Sequence, residues 1–116
     1  MQTILETATL DQLSQDLGGN PEPVRDLIQS YLHEAPIVLS RMKLAIERGN
    51  AAELAAAAHS LKSSSAMLGA KRVSEIAAEL ETMGRAGTIK GASEKCAAMS
   101  QLFPHVEREL LGWTPR

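Results

Sequence analysis

Apolar side chains return along this chain at helical spacing, in four long runs that follow one short one. The short run is Leu10, Leu13 and Leu17, with Thr9 and Gln12 placed as a reciprocal N-terminal cap and Gly18-Gly19 as the stop. Asn20 then caps a second segment with Pro21 at its first position, where a missing N–H costs nothing. Val24, Leu27, Ile28, Tyr31, Ala35, Val38, Met42 and Ala45 carry that helix to Gly49. Pro36 lies inside the run, cannot donate to the Leu32 carbonyl and biases Ala35 away from helix, which predicts a kink or short break. Asn50 with Glu53 opens a third helix that reaches about Gly69.

A fourth helix starts near Lys71, carries Val73, Ile76, Ala77, Leu80 and Met83, and meets Gly84 and Gly87. The last run is Ile89, Ala92, Cys96, Met99, Phe103, Val106 and Leu110, with Pro104 expected to bend it and the tail "GWTPR" expected to be loose. Long helices joined by short connections favour antiparallel neighbours. The expected fold is therefore all-α: an antiparallel up-down four-helix bundle with a short extra N-terminal helix. Its single domain covers residues 1–116, with the core at about 9–111.

Composition narrows the picture in three ways. Hydrophobic residues make up 44% of the 116, enough for one core, and aromatic residues only 3%, which with abundant alanine favours helix over sheet. A net charge of −2 offers no general attraction to nucleic acid or an anionic membrane, and no apolar run is long enough to span a bilayer. The single cysteine, Cys96, excludes an internal disulfide, and "MQTILETATL" lacks the pattern of a secretory leader. These features predict a cytoplasmic protein that neither binds nucleic acid nor inserts in membranes.

The chemistry concentrates in "AAELAAAAHSLKSSSAMLGA", residues 51–70. At about 100° per residue, Leu54, Ala58, Leu61, Ser65 and Leu68 form one core-facing stripe, and His59 lies about 160° from Leu61. The imidazole is therefore expected on the surface. Ala52, Ala55, Ala56, Ser63 and Ala66 share its face, with Lys62 and Met67 at the margins. Lys62 is the only formally charged side chain between Leu54 and Ala70, whereas "KRVSEIAAELE" on the next helix is charged at every second or third position. A face cleared of long charged side chains is a surface that a partner can approach closely. An alanine-rich helix can equally reflect helix propensity alone, and a lone surface histidine is commonly only solvated.

Other chemistries find less support. No Glu-x-x-His pairs exist for a metal-binding bundle, no Gly-rich nucleotide loop is present, and Ser63 in mid-helix lacks an oxyanion hole. His33 and His105 lie beside prolines and read as plain surface residues. Cys96 sits on a core stripe as a buried, inert thiol. Ser64 and Ser65 are placed to bond back to backbone carbonyls.

"AHSLKSSSAMLGA" followed by "RVSEIAAELE" resembles the signature of histidine-containing phosphotransfer (HPt) domains, in which His-x-Leu-Lys-Gly-Ser precedes Leu-Gly-Ala and a helix ending in Leu-Glu. "GGNPEPVRDLIQSYLHEAP" is similar to the family's second helix, and the likeness runs from about Leu10 to about Leu110. The resemblance implies that His59 accepts a phosphoryl group and that Lys62 stabilises its charge. Ser63 stands where the family most often has glycine, a departure that keeps the position small. Geometry adds Ala55, Ala56, Ser63, Ala66 and Met67 as a docking surface.

The implied role is a phosphorelay intermediate between receiver-domain aspartates, or between a hybrid sensor kinase and a receiver. It would be a monomer with no ATP site, metal or cofactor of its own, the Mg²⁺ residing in the receiver domain of the response regulator. The alternative is a non-catalytic adaptor that binds a signalling partner through the same small-residue face.

Overall fold

Five helices account for the regular structure of the computed structural model, which describes residues 5–115: α1 (Thr7–Asp16), α2 (Glu22–Glu47), α3 (Ala51–Met67), α4 (Lys71–Arg85) and α5 (Ala92–Leu111). Helices α2 to α5 form the four-helix bundle. One continuous core joins them, with Val24, Met42, Leu54, Leu61, Val73, Leu80, Met99 and Val106 at its centre. α3 and α4 share the most extensive interface, and α1 packs beside α2 as the extra N-terminal helix.

Glycine chemistry closes several helices as the pattern predicts. Gly49 and Gly69 adopt left-handed φ of 67° and 81° just beyond α2 and α3, a region open to glycine at no steric cost. Gly84 differs from its expected role as a stop. It is a buried residue within the last turn of α4, where an added Cβ would stand 2.7 Å from the Ala51 carbonyl oxygen and 2.7 Å from the Ala55 backbone nitrogen. Its missing side chain lets α4 lie directly on the backbone of α3. Ser74, higher on the same helix, donates to the Lys62 carbonyl at 2.9 Å.

Other details depart from the pattern. The Thr9–Gln12 cap does not form, because α1 begins earlier, with Glu6 as its capping residue and no side-chain cap. Gln12 instead donates to Asp16 one turn on. No break occurs at Pro36: α2 is continuous through it, as α5 is through Pro104. Pro36 faces solvent, and Tyr31, Ala35, Val38 and Leu39 are buried on both sides of it, so core packing outweighs one lost backbone bond.

Asn50 caps α3 as expected, accepting the Glu53 N–H at 3.0 Å. The Glu53 carboxylate turns away from the reciprocal bond to Arg41 of α2, 2.6 Å from Nη2. The expected loose tail is tied down at Trp113, while Thr114 and Pro115 are exposed and Arg116 lies outside the described residues. Trp113 is 6% exposed and its indole N–H donates to Asp11 of α1 at 3.1 Å, tying the two ends of the chain together.

Candidate functional site

His59 projects from the middle of α3 with 58% of its side chain exposed. Among the described residues it is the only histidine with a charged partner: Nδ1 lies 2.8 Å from Oε2 of Glu81 on α4. Glu81 is itself buried, 6% exposed, and collects two further donors. Lys62 Nζ approaches Oε1 at 2.6 Å and Arg85 Nη2 approaches Oε2 at 2.7 Å. Lys62 is half-buried and Arg85 is exposed, so the cluster grades from the interface of α3 and α4 outward to solvent.

The electrostatics follow from that arrangement. The hydrogen bond from Lys62 holds the Glu81 carboxyl below its ordinary value, against the opposing effect of burial; His59 and Arg85 act in the same direction as Lys62. An ionised carboxylate can only accept, so the imidazole nitrogen facing it carries the proton. Nδ1–H is thereby fixed on Glu81, and the lone pair of the neutral ring resides on Nε2. Lys62 and Arg85 bring two positive charges against the single negative charge of Glu81. One positive charge remains in surplus beside the imidazole, where an anionic group would be attracted.

The open face of α3 is smaller than its periodicity suggests. Ala52, Ala56, Ser60, Ser63, Ala66 and Met67 are exposed. Ala55, expected on the same docking face, is half-buried where Gly84 brings α4 against it. Ser64 donates to the Leu61 carbonyl at 3.3 Å, as its position predicts. Ser65 does otherwise: its hydroxyl pairs with that of Tyr31 at 2.8 Å inside the core. Burial pushes the Tyr31 phenol up to about 12. His33 and His105 lie on the surface, and Cys96 is a buried thiol whose pKa burial raises. Among the described residues no cluster of His, Cys, Asp and Glu could hold a metal ion, and no helix is long and apolar enough to cross a membrane.

Periodicity singled out neither Glu81 nor Arg85. The signal for Glu81 was present: it follows Ala77 by four residues and precedes Gly84 by three, on the buried stripe of α4. A carboxylate at a core position requires cationic or hydrogen-bonding partners. Arg85, one turn further on, is such a partner.

A buried carboxylate on α4 thus holds one nitrogen of an exposed imidazole on α3, across two closely packed helices. The sequence model of the Hpt domain matches residues 26–109, and the chain belongs to that family of histidine phosphotransfer domains. A search of curated protein sequences found no significant match. Among solved structures, the chain is similar to the crystal structure of histidine-containing phosphotransfer protein B from Pseudomonas aeruginosa. The two share 22% identity over 98% of this chain and 100% of that one, with a TM-score of 0.84, which supports the same fold.

Proposed function

We propose that the protein is a phosphorelay intermediate: His59 accepts a phosphoryl group from a receiver-domain aspartate or a hybrid sensor kinase and passes it to another receiver-domain aspartate. The observation that carries this reading is the anchoring of His59 Nδ1 on Glu81, which leaves Nε2 outward with a free lone pair. In the loading step that lone pair attacks the phosphorus of the aspartyl phosphate. The N–P bond forms, the P–O bond to aspartate breaks, and the carboxylate leaves with the electron pair. Nδ1–H stays on Glu81, whose charge offsets the cationic phosphorylated ring. Unloading reverses these steps on the next receiver.

Phosphoryl transfer demands in-line positioning and charge neutralisation more than covalent work by the protein. Glu81 positions the ring. Lys62 and Arg85 offset charge on the phosphoryl oxygens, and exposed Ala56, Ser63, Ala66 and Met67 leave room for the partner. The aspartate and its Mg²⁺ belong to that partner in this reading. The chain is a carrier without kinase activity, acting as a monomer in the cytoplasm.

Incubation with phosphorylated receiver domains of the source organism tests the proposal. The wild-type protein should acquire acid-labile, alkali-stable phosphate, and His59→Gln should acquire none while keeping its helicity. Equal labelling of His59→Gln overturns the site. Failure of the wild type to label, with both proteins binding the receiver equally, returns the adaptor reading.

A further inference from the structure

Met67 stands on a ridge between two open grooves. On one side a cavity of about 330 Å³ runs between α2 and α3, lined by Leu27, Tyr31, Val38 and Ser64. On the other, a cavity of about 490 Å³ separates α3 from Ala8, Gln12 and Leu13 of α1. Met67 borders both. Its side chain is 46% exposed, whereas Met42 and Met99 are completely buried and Met83 is half-buried against the core. The most accessible thioether among the described residues is thus a large apolar side chain on an otherwise small-residue face.

We infer that Met67 is an oxidation site at which a hydroperoxide regulates docking of the receiver domain, an inference that rests on the relay function proposed above. Met67 lies eight residues beyond His59, about 12 Å along the helix at ~1.5 Å per residue. An interface of ordinary size covers about 800 Å² per partner, roughly a 16 Å radius if round. A receiver seated over His59 therefore covers Met67. In the chemical step a sulfur lone pair attacks one peroxide oxygen and the O–O bond breaks. The sulfur is oxidised by two electrons to the sulfoxide, and hydrogen peroxide is reduced to water. The product replaces an apolar contact with a strongly polar S=O group that loses its hydration when the partner covers it. The charged cluster around His59, two turns away, is left chemically unchanged.

The test treats the full chain with hydrogen peroxide and follows both the site of oxidation and transfer to the receiver that reacts fastest in the labelling screen. Peptide mass spectrometry should find one added oxygen on Met67 before Met83, Met42 or Met99. Transfer at subsaturating receiver should fall severalfold and recover with methionine sulfoxide reductase. In Met67→Leu, treated and untreated protein should transfer alike, whatever the starting rate of that variant. Full oxidation of Met67 with unchanged transfer overturns the inference, as does an equal peroxide effect in Met67→Leu. Met67→Glu, untreated and with helicity verified, separates the two layers. If it transfers like wild type, Met67 lies outside the interface and the docking reading fails. If it is slowed while the sulfoxide is not, the oxidation site alone is lost.

Discussion

The two flanks of α3 beside His59 are built on opposite principles. Toward α4 the side chains are long, charged and mutually held: Lys62, Glu81 and Arg85 form one cluster on a single carboxylate. Toward α2 and α1 the exposed positions Ala56, Ser63 and Ala66 are small and uncharged, and Met67 adds a longer apolar side chain. The charged pair on that side, Glu53 with Arg41, stands apart at the first turn of α3. The difference separates two requirements of a group carrier. A reacting nitrogen must be held in one tautomer and orientation before the partner arrives, which calls for preorganised charge at a buried interface. The partner must also bring its own phosphoryl-bearing side chain to that nitrogen, which calls for a surface without ordered side chains to displace.

The sharpest way to break this division is Glu81→Ala. Loss of the anchor frees the ring and its tautomer, and a misplacement of that kind costs on the order of 100-fold in transfer rate. Rapid-quench kinetics at saturating receiver checks it, and a rate within a factor of two of wild type would show that the charged flank is dispensable. Gly84→Val acts on the same flank through the fold. Its side chain would collide with α3 backbone at Ala51 and Ala55, atoms that cannot move aside singly. Overpacking of this type costs about 1–3 kcal/mol, to be read from urea denaturation, with transfer falling as α4 and Glu81 shift away from His59.

On the bare flank, Ala56→Glu or Ser63→Arg should slow transfer at subsaturating receiver by roughly ten-fold, about 1.4 kcal/mol of lost docking. Both positions are exposed, so the melting transition should stay within about 0.5 kcal/mol of wild type. A melting change as large as the transfer effect would mean that this face belongs to the fold.

The smallest expected effect concerns pH. Glu81 titrates below its ordinary value of 4.5 in the folded protein. As pH falls, the unfolded chain binds that proton first. The stabilisation from Glu81 is therefore intact above about pH 4.5 and lost as pH drops further through the folded value. Glu81→Gln keeps an acceptor for Nδ1–H but cannot titrate, and its stability should decline less steeply in this acid range. An unchanged acid slope would remove Glu81 as the titrating group.

Amphipathic spacing by itself determined the helices, the buried stripe of α3 and the outward placement of His59, because each follows from which side chains avoid water along one helix. The ends of the helices were less legible. Thr9 and Gln12 had the chemistry of a cap but not the position, and Pro36 had the chemistry of a break that packing on both sides overrides. Trp113 looked like part of a tail because its partner, Asp11, lies at the far end of the chain.

Only the tertiary structure decided what His59 does with its inner nitrogen. Glu81 is 22 residues from His59, and their pairing exists because glycine at position 84 lets two backbones come within contact distance. Periodicity along one helix carries no information about which neighbour it meets or how closely. The tautomer of the ring, the sharing of one carboxylate among His59, Lys62 and Arg85, and the cover over Ala55 all arise from that approach.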